Sequence, residues 1–170
     1  MSGTKTERID DAVAAEEFGS LIPVDRGLLV SMVVGPCIHG SGILVGARDL
    51  NGTPIGLAWA LRTSDPQTFY FSYIVVHEGY RDQHVAEALD TKLVELAKRE
   101  GGKWAFGLSH PGNKASNTFL VRSGWLLLGE APRFYGRGEP RNLYWKCLGR
   151  GIKGGPPADS SFWTGIYGKV

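Results

Sequence analysis

The sequence predicts an α/β fold built on a sheet of mixed direction. Three observations carry that prediction. Residues 42–76 hold three apolar runs rich in β-branched and aromatic side chains, separated by turn signals. Residues 83–100 hold one long helical apolar face. Strand-like runs then return to the end of residue 149. With 170 residues, 42% of them hydrophobic and 21% charged, one domain can bury its core without a disulfide framework or a structural metal.

The elements follow in order. Residues 6–18 read as a weak amphipathic helix, with Ile9, Val13 and nearby alanines on one side. GLLVSMVV at 27–34 is a short apolar run. GILVGARDL (42–50) reads as a strand, Asn51-Gly52 as a tight turn and IGLAWALRT (55–63) as a second strand. Ser64-Asp65-Pro66 turns the chain into TFYFSYIVV (68–76), a third strand by its β-branched and aromatic density. Val85, Ala86, Leu89, Leu93, Leu96 and Ala97 then line one face of a helix, supported by the Glu95–Arg99 pair and ended by Gly101-Gly102. KWAFGLSH (103–110) is the next strand, so 68–110 should form a right-handed parallel crossover. Pro111-Gly112-Asn113 opens a short helix at 114–123, stopped by Gly124. WLLLGEA (125–131) and NLYWKCLG (142–149) are the last strands. The Gly/Pro/Ser composition after Gly149 divides the chain into a domain at 1–149 and a C-terminal tail at 150–170. That tail is either an arm docked by Phe162, Trp163 and Tyr167, a contact for oligomers or assemblies, or a disordered end.

Composition narrows the function. No stretch approaches the ~18 apolar residues of a membrane span, and the polar start MSGTKTERIDD is no secretory signal. Cys37 and Cys147 stand far apart without a CxxC, as small buried residues of a reducing, cytoplasmic protein would; a disulfide between them stays open. Cys37-Ile38-His39 has a ligand-like spacing but no partner pair, so no metal is expected. A net charge of +2 argues against a polybasic nucleic-acid protein, although the positive stretch 131–170 leaves a local nucleic-acid contact open. Neither GxxxxGK[ST], nor GxGxxG opening a helix, nor GxSxG occurs.

The most informative stretch is Val76-His77-Glu78-Gly79-Tyr80-Arg81-Asp82-Gln83-His84-Val85-Ala86. A strand ends, turns tightly and feeds a helix whose first amides form a ready anion site. This turn resembles that of the GNAT superfamily of N-acetyltransferases, which use acetyl-CoA. Tyr80-Arg81 and Val85-Ala86 match the family signature in register, and Asn113 with Gly124-Trp125 matches a second spacing. The resemblance covers roughly residues 28–148 and implies a mixed, mostly antiparallel central sheet flanked by helices, with a Gly/Pro-rich C-terminal extension. It implies that Ile74, Val75 and Val76 bind the pantetheine arm of acetyl-CoA. The amides of Arg81, Asp82, Gln83, His84, Val85 and Ala86 would hold the pyrophosphate, with Asn113 flanking the CoA. An unidentified amine would attack the thioester directly, and no metal is needed. Departures from the pattern are His84 for the first signature glycine, Asp82 for a second, Leu120 for a tyrosine acid and Leu108 for a glutamate base. A base must lie within reach of the attacking amine, so His110 and His77 are the catalytic candidates, with Tyr70 as an acid. The rival reading keeps the fold and drops catalysis, making the chain a structural or interaction module such as those of phage virions.

Overall fold

The structure is a computed structural model that describes residues 3–10, 12–22, 40–134 and 139–149. A seven-stranded sheet organises the chain, with strands β1 Lys5–Arg8, β2 Gly42–Arg48, β3 Pro54–Arg62, β4 Thr68–Val76, β5 Trp104–Ser109, β6 Leu126–Ala131 and β7 Arg141–Cys147. Their spatial order is β1-β2-β3-β4-β5-β7-β6. Only β4 and β5 run parallel; the other neighbours are antiparallel. Three α-helices accompany the sheet among the described residues, α1 Ala12–Glu17, α2 Val85–Arg99 and α3 Lys114–Arg122. The mixed α/β class and the strands at 42–76 stand as expected, and β4 covers the residues read from its composition.

The N-terminus departs from expectation. Residues 6–18 are not one helix: Lys5–Arg8 pairs with β2 and the helix is only Ala12–Glu17. Cross-strand charge explains the strand. Arg48 donates to Glu7 at 2.7 Å and to Glu17 at 2.5 Å, while Arg8 pairs with Glu100 at the end of α2. The Ile9 amide also donates to the Leu44 carbonyl, which extends the pairing where a helix would have ended it. The apolar run 27–34, Cys37, His39, Arg137 and the tail with Phe162, Trp163 and Tyr167 lie outside the described residues.

Alternation along the strands sends side chains into two layers. On one face Ile43, Val45, Ala58, Phe69 and Phe71 pack with Val85, Leu89, Leu93 and Leu96 of α2 and Leu120 of α3. The close approach of α2 depends on Gly56, where an added Cβ would meet Leu89 Cδ1 at 2.9 Å and Val85 Cγ1 at 3.1 Å. On the other face Leu44, Leu57 and Trp59 pack with Phe18 and Ile22, while Phe106, Leu143 and Trp145 form a further cluster with Tyr70 and Trp104 half-buried against it. Burial of this kind is worth about 25 cal/mol per Å² of apolar surface, so the large aromatics on both faces dominate the cohesion of the sheet. Cys147 is not disulfide-bonded.

Candidate active site

The sheet divides at its centre. Pairing of β4 with β5 runs from Thr68 opposite Trp104 to Phe71 opposite Gly107 and stops there. Beyond that point β4 stays with β3 as far as Val76 opposite Gly56, whereas β5 stays with β7 as far as Ser109 opposite Asn142. A bulge marks the parting: Tyr73 faces Trp59 and Phe71 faces Ala60, so Ser72 is left over between them. Bulges bend a strand and end its pairing, which is how the chain opens a fork here. Ile74, Val75 and Val76 lie on the β4 prong with no strand on their fork side among the described residues.

Both prongs are pinned. On the β4 side the His77 amide donates to the Ile55 carbonyl, and the Tyr80 hydroxyl donates to Asp49 at 2.9 Å. Asp49 also accepts from the amides of Asn51 and Thr53. The Thr53 amide, with help from Tyr80 and Asn51, holds its carboxyl below the usual carboxylate range, and the hydrogen bond to Asp49, with the charge of that carboxylate, pushes the Tyr80 phenol up. On the β5 side Asn117 donates to the carbonyls of His110 and Pro111 and accepts from the Tyr144 hydroxyl at 2.9 Å. Sequence reading passed over Asn117; its polar side chain within a short helix, four residues after Asn113, was the available signal.

The turn into α2 carries the electropositive part of the site. Asp82 and His84 have φ of 60° and 62°, the left-handed region that favours glycine. His, Asp and Asn are the side-chain-bearing types most often found there, so the chain keeps a glycine-like path without glycine. Alternation of left-handed residues along a turn aims successive amides into one concavity. The amides at 82–87 have no protein acceptor among the described residues, and the first helical bond of α2 runs from Ala88 to the His84 carbonyl. No side chain caps this helix. The Arg81 amide is different, since it already donates to the Glu78 carbonyl. The His84 side chain is 87% exposed, with Nδ1 3.5 Å from Glu87, so the imidazole is not packed into the fold.

The predicted site residues divide between the two prongs. His77 follows β4 and His110 follows β5, and each Nδ1 accepts from the amide two residues on, Gly79 at 3.2 Å and Gly112 at 3.0 Å. Asn113 caps α3 by accepting from the Ser116 amide at 3.1 Å. Tyr70 is stacked on Phe106 with ring centres 4.8 Å apart, at a level where β4 and β5 are still paired. Leu120 is buried in the main core and offers no hydroxyl. A turn with acceptor-free amides joined to an unpaired strand edge suits a long ligand that is anionic at one end and amide-rich in its arm.

Comparison with known proteins agrees with this geometry. A sequence model described as the acetyltransferase (GNAT) family matches residues 23–125. The chain belongs to that family. No curated protein matches it in sequence. Solved structures of similar shape include a GNAT-family protein from Desulfovibrio desulfuricans, 16% identical, covering 86% of this chain and 100% of that one with a TM-score of 0.75. An aminoglycoside 6'-acetyltransferase of type Ii is 17% identical, covering 85% of this chain and 97% of that one with a TM-score of 0.72. An aminoglycoside 6'-N-acetyltransferase complexed with coenzyme A is 14% identical, with coverages of 85% and 97% and a TM-score of 0.68. The sheet described above is the GNAT fold, in a divergent member. Among the described residues, no helix is long and apolar enough to cross a membrane.

Proposed function

We propose that this GNAT protein transfers an acetyl group from acetyl-CoA to an amine by direct attack, with residues 1–149 as the transferase domain. The observation that carries the reading is the run of acceptor-free amides at 82–87 beside the unpaired β4 edge at 74–76. The amides of Asp82, Gln83, His84, Val85 and Ala86 hold the pyrophosphate, aided by the positive end of the α2 dipole. Backbone groups of Ile74, Val75 and Val76 hold the pantetheine arm as a strand would be held, and Asn113 with α3 flanks it. The coenzyme-A complex of a similarly folded protein supports the choice of cosubstrate.

In the reaction the amine nitrogen bonds to the thioester carbonyl carbon, the carbon–sulfur bond breaks, and CoA leaves as the thiolate. Backbone N–H groups at the fork stabilise the oxyanion. With Nδ1 of His77 and of His110 accepting a backbone N–H, each neutral ring carries its proton on Nε2. A ring in that state has no free nitrogen to act as base, so His77 and His110 serve instead as Nε2–H hydrogen-bond donors to the departing thiolate, while the attacking nitrogen loses its proton to water and the thiolate takes one from water. Tyr70, on β4, is the candidate acid.

The non-catalytic alternative expects the corner near Val76 to be closed by the chain's own imidazole or by its C-terminal tail, which lies outside the described residues. The 87% exposed His84 side chain speaks against the imidazole as the plug. Titration calorimetry with acetyl-CoA tests the reading: saturable binding that competes with free CoA supports it. Absence of binding at millimolar ligand overturns it.

A further inference from the structure

The fork can be approached from two sides. α2 and α3 share the cluster that covers one face of the sheet. The nucleotide end of acetyl-CoA, tied in our reading to the first turn of α2, belongs to that side. In that reading the opposite face is left for the amine; it carries Trp59, Leu57 and Val75 in one cluster and Phe106 with Tyr70 in the next.

Tyr73 stands on that opposite face, on the residue after the bulge where β4 leaves β5. Its ring stacks on Trp59, centres 4.7 Å apart and planes inclined by 25°. Trp59 is buried, at 7% exposure, whereas Tyr73 is 40% exposed, the one exposed Phe, Trp or Tyr among the described residues. No described group hydrogen-bonds its hydroxyl. An aromatic ring backed by a buried indole and left open at the mouth of a cleft is a stacking platform. Charge points the same way. β3, β4, β5 and β7 carry no carboxylate anywhere along their length, so the strands around the fork offer no counter-charge to a multiply charged amine.

We infer that the acceptor is an amine carried on an aromatic frame, an arylalkylamine-like monocation whose ring stacks on Tyr73, rather than a polyamine. The inference rests on the acetyltransferase reading above and adds the acceptor class to it. The Tyr73 ring orients the acceptor; it takes no part in bond making.

The test uses the full chain. Acetyl-CoA binding is measured first by calorimetry, then CoA release is followed with phenethylamine, tryptamine, propylamine and spermidine. The expected result is a kcat/KM for both aryl amines at least ~10-fold above that for propylamine and spermidine, the scale of one good aromatic contact. Tyr73→Ala should remove most of that preference through KM, while Tyr73→Phe retains it and acetyl-CoA binds both variants as it does the native chain. A thermal melt shows that each variant folds. Failure of acetyl-CoA to bind overturns the enzyme reading and this inference together. Binding with no transfer to aryl amines, with spermidine preferred, or with a preference that survives Tyr73→Ala overturns this inference alone.

Discussion

His84 shows how a side chain can occupy a glycine's place. At φ 62° a β-carbon costs roughly 1–2 kcal/mol, and a β-branched one more. Glycine would relieve that strain but gives back about 0.5–1 kcal/mol through the freer unfolded chain. His84→Gly should therefore melt within a few degrees of the native protein and bind acetyl-CoA at least as tightly. His84→Val should melt lower and bind more weakly, because the turn must abandon its left-handed path. Melting curves and calorimetry on the pair decide it; a valine variant as stable as the native chain would show that the turn carries no such constraint. The Asp49–Tyr80 contact works one step away from the ligand. Tyr80→Phe should raise the Kd for acetyl-CoA several-fold while leaving the rate at saturation nearly unchanged. Asp49 has a depressed folded pKa, so its contribution is present above the ordinary carboxylate range and is lost as pH falls through the folded value. The native stability should fall on that acid side, and the Tyr80→Phe stability profile should be flatter there. In the sequence, His84 and Asp82 were legible as departures from a glycine pattern. That they keep the glycine backbone was not, because residue type alone does not set φ. Asp49 was illegible as a partner, since a turn aspartate looks the same whether or not a tyrosine 31 residues away reaches it.

Elements were read best where local pattern and tertiary role agree. The α2 helix and β4 each satisfy one period along their length. β1 fails that test: Lys5–Arg8 is four residues long with no buried position, and what makes it a strand is Arg48 across the ladder. The opposite failure is Asp90, a carboxylate within the apolar face of α2. Its carboxyl meets the Lys146 ammonium on β7 at 2.6 Å and the Trp125 indole N–H at 3.3 Å, partners 56 and 35 residues away. The contact ties helix, β7 and the start of β6 together behind the fork. Burial pushes the Asp90 carboxyl up despite Lys146. A raised acid holds its proton longer folded than unfolded. The Asp90 contribution is therefore full below the unfolded value near ~4 and declines as pH rises through the folded one. Asp90→Asn, which keeps the acceptor and drops the charge, should be close to native stability at low pH and gain on the native chain as pH rises. Lys146→Ala leaves the carboxylate buried without a counter-charge and should cost about 3–5 kcal/mol at neutral pH. Denaturant melts of both variants between pH 3 and pH 8 check the sign; an asparagine variant that loses ground as pH rises would reverse it.

At the scale of the molecule, the sheet works as two half-sheets, β1-β2-β3-β4 and β5-β7-β6, whose strands pair, among the described residues, only between 68–71 and 104–107. That division was implicit in the strand order, because the single parallel pair must carry the α2 crossover. Its depth was not legible, since the Ser72 bulge is a register event with no composition of its own. A ligand lying in the fork would supply the pairing that β4 lacks beyond Phe71 and would link the halves through α2. Binding to the folded chain alone stabilises it by about 2.7 kcal/mol at a hundredfold excess over Kd, several degrees in Tm for a chain of this size. The gain should be local in origin. Hydrogen exchange with and without acetyl-CoA should slow at the amides 82–87 and along 73–76, and change little across the β1–β2 ladder, where Lys5 to Arg8 already pair with Arg48 to Val45. Uniform slowing over the whole sheet would mean that the two halves open as one unit and that the fork is not the place where the ligand adds its contacts.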